Sequence, residues 1–429
     1  MQVLNDSAAA RTKPRTKPQT APDMHFSAYR PIRKEIPGAN TPNLPALSLM
    51  SLIQDPVAEP TGLLLSGGGA RAAYQIGVLR GVAEILPSNA PNPFNVISGT
   101  SAGALNAALL ATHAPRLRTG VRTLEHIWKN LSSEKVYTPQ SSTLLKSASN
   151  VLLSMLSSKA SEISVAILDN SPLTSLLERV INFERIQRNI DLGYLDALGI
   201  TASAYDTGES VSFYQAVQGI ADWQGPHRIG RRTELQLKHL AASSAIPIIF
   251  PAVKIDDRYF GDGSVRQLAP TSTAIHLGAR RLFAIGVSAN RSKPRVQSEA
   301  STQPTLTQIL GHIMNSAFVD TLENDLEFLQ HMNALVPHVP MRARRMHGIE
   351  VSHIELLEIA PSVELNDLAL DYYDELPKSM TRYIKKSGSG SLLSLILFEP
   401  GFCTALLQLG YADALAKREE IAAFFRLTL

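Results

Sequence analysis

Val96-Ile97-Ser98-Gly99-Thr100-Ser101-Ala102-Gly103-Ala104-Leu105 is the stretch on which the fold turns. A short apolar run ends at Ile97. Gly99-Thr100-Ser101-Ala102-Gly103 then fits G-x-S-x-G, and an Ala/Leu-rich run, Ala104 to Ala111, follows without Gly or Pro. Strand, sharp turn, helix is the setting of a nucleophile elbow. A serine at the tip of such a turn sits in strained backbone, and its neighbours must be small for the turn to close. The helix behind Ser101 aims its free amides and positive dipole end at the site. The same residues also fit an N-capping serine in an ordinary turn, so the elbow alone leaves two readings open.

Upstream, Thr61-Gly-Leu-Leu-Leu-Ser66 is short and apolar enough for a buried parallel strand. Gly67-Gly68-Gly69-Ala70-Arg71 follows, then Ala73–Leu86, with Ile76, Leu79, Val82, Ala83 and Leu86 at helical spacing and Pro87 as the stop. A glycine loop between strand and helix serves either a dinucleotide pyrophosphate or a developing oxyanion. The first needs G-x-G-x-x-G and an acid at the end of the second strand. Here the third glycine position holds Ala72, and the second strand, near Phe94–Ser98, runs into the serine elbow. The second use needs backbone N–H groups free of side-chain obstruction, which three successive glycines supply. The neighbouring elbow favours it.

Further along, His239–Ala245 reads as the end of a helix and Ile246-Pro-Ile-Ile-Phe-Pro251 as an apolar turn. Val253–Ile255 and Arg258–Phe260, joined by Asp256-Asp257, read as a hairpin. Gly261-Asp262-Gly263-Ser264 comes next; an aspartate between glycines is often only a turn residue. Ala279–Ser288 reads as another buried strand.

Gly67-Gly68-Gly69-Ala70-Arg71, Gly99-Thr100-Ser101-Ala102-Gly103 and Asp262-Gly263 stand in the order and rough separations of the patatin-like phospholipases, which this chain resembles from about Thr61 to Ser288. Ala241-Ala242-Ser243-Ser244-Ala245-Ile246-Pro247 is also similar to the family segment ahead of the aspartate. The resemblance implies a three-layer α/β/α patatin-like fold with a largely parallel central sheet. It implies a serine–aspartate dyad, Ser101 and Asp262, and an oxyanion hole built on Gly67, Gly68 and Gly69, with Ala70 and Arg71 in the same loop. Gly99, Thr100, Ala102 and Gly103 would form the elbow, and Gly263 and Ser264 the aspartate motif. Two positions depart from the pattern: Ala72 replaces a usual glycine, and Ser264 stands where glycine or alanine is usual. Neither removes a reacting group.

The implied chemistry is acyl transfer. Ser101 Oγ attacks an ester carbonyl, Asp262 takes the proton, and water later releases the fatty acid from the acyl-enzyme. A histidine triad is the competing arrangement, in the order Ser, acid, His, with His276 the nearest candidate after Asp262. The expected substrate is a phospholipid, lysophospholipid or other acyl lipid. A general carboxylesterase or neutral-lipid lipase is the alternative within the same chemistry. A non-catalytic nucleotide-binding or interaction protein is the alternative outside it.

The composition fits this reading. The 429 residues suffice for one large α/β domain or two smaller ones, and 44% hydrophobic with 18% charged residues is ordinary for a globular chain. A net charge of only +3 gives no argument for nucleic acid. The single cysteine, Cys403, excludes an internal disulfide framework. No Cys/His spacing suggests a metal, and no cofactor is expected. No secretory signal opens the sequence, and no uncharged apolar run, Leu392–Phe398 included, reaches the length of a membrane span. The expectation is a cytoplasmic protein that meets membranes peripherally.

Residues 1–60 read as a basic, Pro-rich, disordered tail around Arg11-Thr-Lys-Pro-Arg-Thr-Lys-Pro. Residues 61–290 read as the catalytic domain and 291–429 as a mainly helical extension on the same core. Leu144–Leu156 fits either a lid or lipid-docking helix or an ordinary packing helix. Pro304–Leu335 reads as one long packing helix, Val351–Ile359 as a late strand and Gly401–Phe425 as helical. Arg342, Arg344 and Arg345 form a small basic cluster.

Overall fold

The computed structural model describes residues 59–139, 166, 168–289, 303, 306–317, 321–347, 352–381 and 390–427. The basic tail, save Glu59 and Pro60, the Leu144–Leu156 segment and most of the polar stretch after Arg291 lie outside the described residues. The described residues all fall in one compact unit.

In chain order the strands are β1 (Thr61–Leu65), β2 (Val96–Thr100), β3 (Thr138–Pro139), β4 (Leu168–Asp169), β5 (Ala197–Ala204), β6 (Ser210–Ala216), β7 (Trp223–Gly225), β8 (Arg228–Arg232), β9 (Val253–Ile255), β10 (Arg258–Asp262), β11 (Arg281–Ile285) and β12 (Glu355–Ile359). Ten of them make one sheet, ordered β12-β11-β1-β2-β5-β6-β8-β7, with β9 and β10 joined through β5. From β12 to β5 all neighbours are parallel. The β5–β6, β7–β8 and β9–β10 pairs are antiparallel. β3 and β4 form a separate antiparallel ladder.

Strands β1, β2, β5 and β11 are buried along their whole length, and β1 and β11 read accordingly as short, mostly apolar runs. Their side chains still alternate. Leu63, Leu65, Ile97 and Phe283 pack on one face, and Leu64, Val96, Leu282 and Ala284 on the other. Helices α1 (Ala73–Ile85), α2 (Ala102–Thr112) and α3 (Leu117–Lys129) cover the first face. Leu277, after helix Pro270–His276, and Leu322, Leu326 and Leu329 of helix Thr321–Leu335 cover the second. The result is a three-layer α/β/α arrangement.

The helix Pro400–Ala416 lies directly on α1. A Cβ on Gly77 would come within 2.1 Å of Leu407 O, and one on Gly410 within 2.2 Å of Tyr74 O, so glycines on both helices permit the approach. Cys403 is buried in this helix. No single helix among the described residues is long and apolar enough to cross a membrane. Gly390–Ile396 and Pro400–Ala416 together pass by length and composition but are bent by 94°, and their Leu393, Leu395, Phe402 and Leu406 are buried in the core.

One expectation fails. Pro304–Leu335 is two helices, Leu306–Asn315 and Thr321–Leu335. The apolar positions of the first do not continue the packed face of the second: Ile309 is 44% and Ile313 53% exposed, whereas Leu322, Leu326 and Leu329 are buried. Helical spacing in sequence did not make a single buried stripe.

Candidate active site

Strand β5 brings the two reacting candidates together. Thr100, the last residue of β2, pairs with Thr201 of β5. β2 ends there, and β10 takes over the same edge antiparallel, with Asp262 opposite Ala202. Ser101 and Asp262 thus leave their strands one register step apart. Ser101 holds φ 54 and ψ −130, a strained conformation for a non-glycine residue. Gly99 and Gly103 make that turn possible, since a Cβ on Gly103 would lie 2.3 Å from Leu65 O and one on Gly99 2.5 Å from Gly103 O.

The Ser101 hydroxyl donates to Asp262 Oδ2 at 2.5 Å. Asp262 is fully buried, and its Oδ1 accepts from the Ser264 N–H at 2.9 Å. Burial pushes the carboxyl up to about 7, against the pull of the hydrogen bonds from Ser101 and Ser264. A carboxylate there is far more basic than one in water. The Ser101 N–H donates to Ser243 Oγ at 2.9 Å, and Ser243 donates on to Thr201 O at 2.6 Å. Ser243 thereby fixes the elbow from the helix Leu237–Ser243. Thr100 donates to Gln267 at 2.5 Å, and Gln267 reaches Thr201 Oγ1 at 3.2 Å, tying the segment after Asp262 to the elbow.

The glycine loop lies against this pair. A Cβ on Gly67 would fall 3.1 Å from Ser101 Cβ, so the loop backbone passes beside the nucleophile candidate. Gln75 donates to Ser66 O at 2.8 Å and holds the start of the loop. Gly68 packs against Val287, and Gly69 (φ +55) packs against the Leu395 backbone, where a Cβ would meet Leu395 O at 2.0 Å. Ala70 and Ala72 are buried in a 3₁₀ turn over Gly69–Ala72. The Arg71 guanidinium, only 2% exposed, turns to the C-terminal region, donating to Ser394 Oγ at 2.9 Å, Asn366 Oδ1 at 2.7 Å and Asn315 Oδ1 at 3.1 Å. Arg71 thus anchors the loop from behind.

The structure does not bring His276 to the serine. Its Nδ1 lies 2.7 Å from Ser272 O in its own helix, and its ring stacks on Trp223 at 4.8 Å. Changing His276 to Ala should therefore leave ester turnover within roughly twofold of wild type, against the roughly 10³-fold or greater loss expected for a triad member. A steady-state assay decides. Among the described residues no group of three His, Cys, Asp or Glu side chains is placed to hold a metal ion.

An apolar cleft, partly open to solvent, begins at Ser101 and Gly69. Ala102, Leu105 and Leu109 of α2 line it at successive turns; Trp128 of α3, Leu177, Phe250 and Phe398 close the other sides. The one indole N–H in this wall is satisfied by Asn106 Oδ1 at 2.9 Å. Ile248, between the lining residues Ile246 and Phe250, is 49% exposed and holds φ +70, unusual for a β-branched residue. Sequence reading missed Ser243, Gln267 and the cleft wall. The wall comes from segments far apart in the chain, and no local pattern signals it. Ser243 sits inside a quoted stretch, but nothing in that stretch marks its partner.

Residues 63–275 match the family model described as patatin-like phospholipase. A 56-residue stretch, 13% of the chain, is 47% identical to the lysophospholipase NTE1 of Chaetomium globosum and spans 3% of that protein. Among solved structures, human GIVD cytosolic phospholipase A2 aligns over 86% of this chain and 60% of its own at 11% identity and TM-score 0.42. VipD from Legionella pneumophila aligns over 84% and 67% at 12% identity and TM-score 0.33. The matched family segment carries the glycine loop, the elbow and Asp262, and through it the chain belongs to the patatin-like phospholipase family.

Proposed function

We propose that this protein is a lipid acyl hydrolase that cleaves fatty acyl esters of phospholipids or lysophospholipids through Ser101 and Asp262. One observation carries the reading: a strained, buried serine donates at 2.5 Å to a buried carboxylate at the head of an apolar cleft. In the first half-reaction Ser101 Oγ attacks the ester carbonyl carbon while its proton passes to Asp262 Oδ2. The carbonyl oxygen becomes an oxyanion, which we assign to the amides of Gly67–Gly69. The tetrahedral species collapses, the alcohol leaves with the proton from Asp262, and the acyl group stays on Ser101. Water then attacks the acyl carbonyl carbon while giving a proton to Asp262, which passes it to Ser101 Oγ as the fatty acid leaves.

The cleft supports an acyl chain rather than a polar acyl group, because its lining is almost wholly hydrocarbon. Each methylene that fits is worth about 0.8 kcal/mol, or roughly fourfold in affinity. The substrate comes from a lipid surface, which we infer the protein meets peripherally from the cytoplasmic side.

The test is fatty-acid release from vesicles of defined phospholipid or lysophospholipid, run beside a short soluble ester. Long-chain lipid should be cleaved, with Ser101→Ala inactive on both. Leu109→Trp, which fills the cleft one turn deeper than Leu105, should raise KM for long chains by roughly fourfold per excluded methylene and spare a butyryl ester. Release from triacylglycerol but not phospholipid would favour the neutral-lipid alternative. No release from any ester would end the proposal.

A further inference from the structure

We propose that the Ser264 hydroxyl is a further catalytic group, donating a hydrogen bond to the oxyanion formed when Ser101 attacks its ester; this rests on the acyl-transfer reading above. Ser264 follows the aspartate motif directly, and its N–H is fixed to Asp262 Oδ1 at 2.9 Å. Its side chain is therefore held beside the base. The residue is only 5% exposed, and its hydroxyl has a loose contact with the Asp262 carboxyl but no hydrogen bond of ordinary geometry among the described residues.

The position of that hydroxyl is informative. A Cβ on Gly67 would lie 2.2 Å from Ser264 Oγ and 3.1 Å from Ser101 Cβ. The oxygen thus occupies the space between the glycine loop and the nucleophile candidate that a side chain at position 67 would fill. Ser243 provides the contrast. It also adjoins the elbow, but it accepts from Ser101 N–H and donates to Thr201 O, so both its roles are filled. Of these two serines beside the elbow, one is saturated and one is not.

Buried hydroxyls are almost always hydrogen-bonded, and one with only a loose contact can take a better partner that arrives later. What arrives between Ser101 and the glycine loop is the substrate carbonyl. Its oxygen gains a full negative charge in the tetrahedral intermediate, when an O–H donor acts most strongly. No proton is transferred from Ser264. The Ser101 proton still passes to Asp262 and then to the leaving alcohol.

The test compares Ser264→Ala and Ser264→Gly with wild type on a p-nitrophenyl butyrate assay, a pH–rate profile, thermal melting and the rate of inactivation by a fluorophosphonate. We expect kcat to fall about 100-fold, the scale of losing one oxyanion donor, with KM little changed. Inactivation should slow in parallel, because the phosphonyl oxygen takes the same place. The acidic limb should move up only slightly, since the loose contact that lowers Asp262 is lost, and the melting temperature should not drop, since no hydrogen bond of ordinary geometry is lost. An unchanged kcat would overturn the inference. So would a kcat that recovers to the wild-type value on the plateau above the acidic limb, which would place the hydroxyl's action on Asp262 alone, or a lowered melting temperature, which would give it a structural partner. A wild type that loses nothing on Ser101→Ala would overturn the acyl-transfer reading itself. A Ser101-dependent enzyme indifferent to Ser264→Ala would overturn only this inference.

Discussion

Ser101→Ala is expected to lower ester turnover by at least about 10³-fold while leaving the fold intact. The substitution removes one oxygen, whose hydrogen bond goes to Asp262. The backbone at this position needs the same strained φ of 54 whether Ser or Ala occupies it, so stability should change little. Ser101→Gly is equally without a nucleophile, yet glycine adopts positive φ without strain. It should melt higher than Ser101→Ala, as expected if the strain serves the reaction and not the fold. Circular dichroism and turnover on one preparation test both statements.

Asp262→Asn is expected to match that loss of activity and to gain stability at alkaline pH. Asparagine keeps the shape and can still accept from the Ser264 N–H. It cannot take the Ser101 proton. Because the two residues act as one unit, the double variant should be little slower than either single one. The stability gain follows from the sign of the linkage. The Asp262 carboxyl is raised from 3.8 to about 7 by burial. Between those values the folded protein holds a proton that the unfolded chain has released, so stability falls as pH rises from about 4 to about 7. Above 7 wild type carries the full cost of a buried charge, on the order of 4 kcal/mol at 1.36 kcal/mol per pH unit. Asn carries none. The variant should therefore melt several degrees above wild type at pH 8 and lose that advantage toward pH 4. The same raised carboxyl predicts that wild-type kcat climbs through an acidic limb near pH 7, since only the ionised form accepts the proton. An acidic limb near pH 4 would mean that Asp262 is solvated during turnover.

Much of this site was legible because its demands are local. A turn that carries Ser101 at positive φ needs Gly99 and Gly103 beside it, and a backbone that runs past a nucleophile needs glycine at 67; such needs leave marks at fixed short spacings. The buried strands left marks too, since β1 and β11 read as short apolar runs and a shorter apolar stretch ends at Ile97 in β2. The hairpin over 253–260 formed as expected, and its second strand runs on to Asp262. What could not be read depends on register and distance. That Asp262 continues the edge of β5 where β2 stops follows from pairings with Ala202 and Thr201, which no motif encodes. Arg71 belongs to a recognisable loop, yet its partners Asn315, Asn366 and Ser394 lie 244 to 323 residues away. Strands β5 to β8 passed unread.

The account stands most directly on whether Ser101 is an activated nucleophile. Wild-type protein would be treated at pH 8 with a fluorophosphonate carrying an alkyl chain, then digested and mapped by mass spectrometry, with Asp262→Asn and Ser101→Ala treated alongside. The account predicts one adduct per chain, on the Ser101 Oγ of wild type, formed far more slowly in Asp262→Asn and absent from Ser101→Ala. An adduct on another serine, or labelling of Ser101 at the same rate without the Asp262 carboxylate, would contradict it.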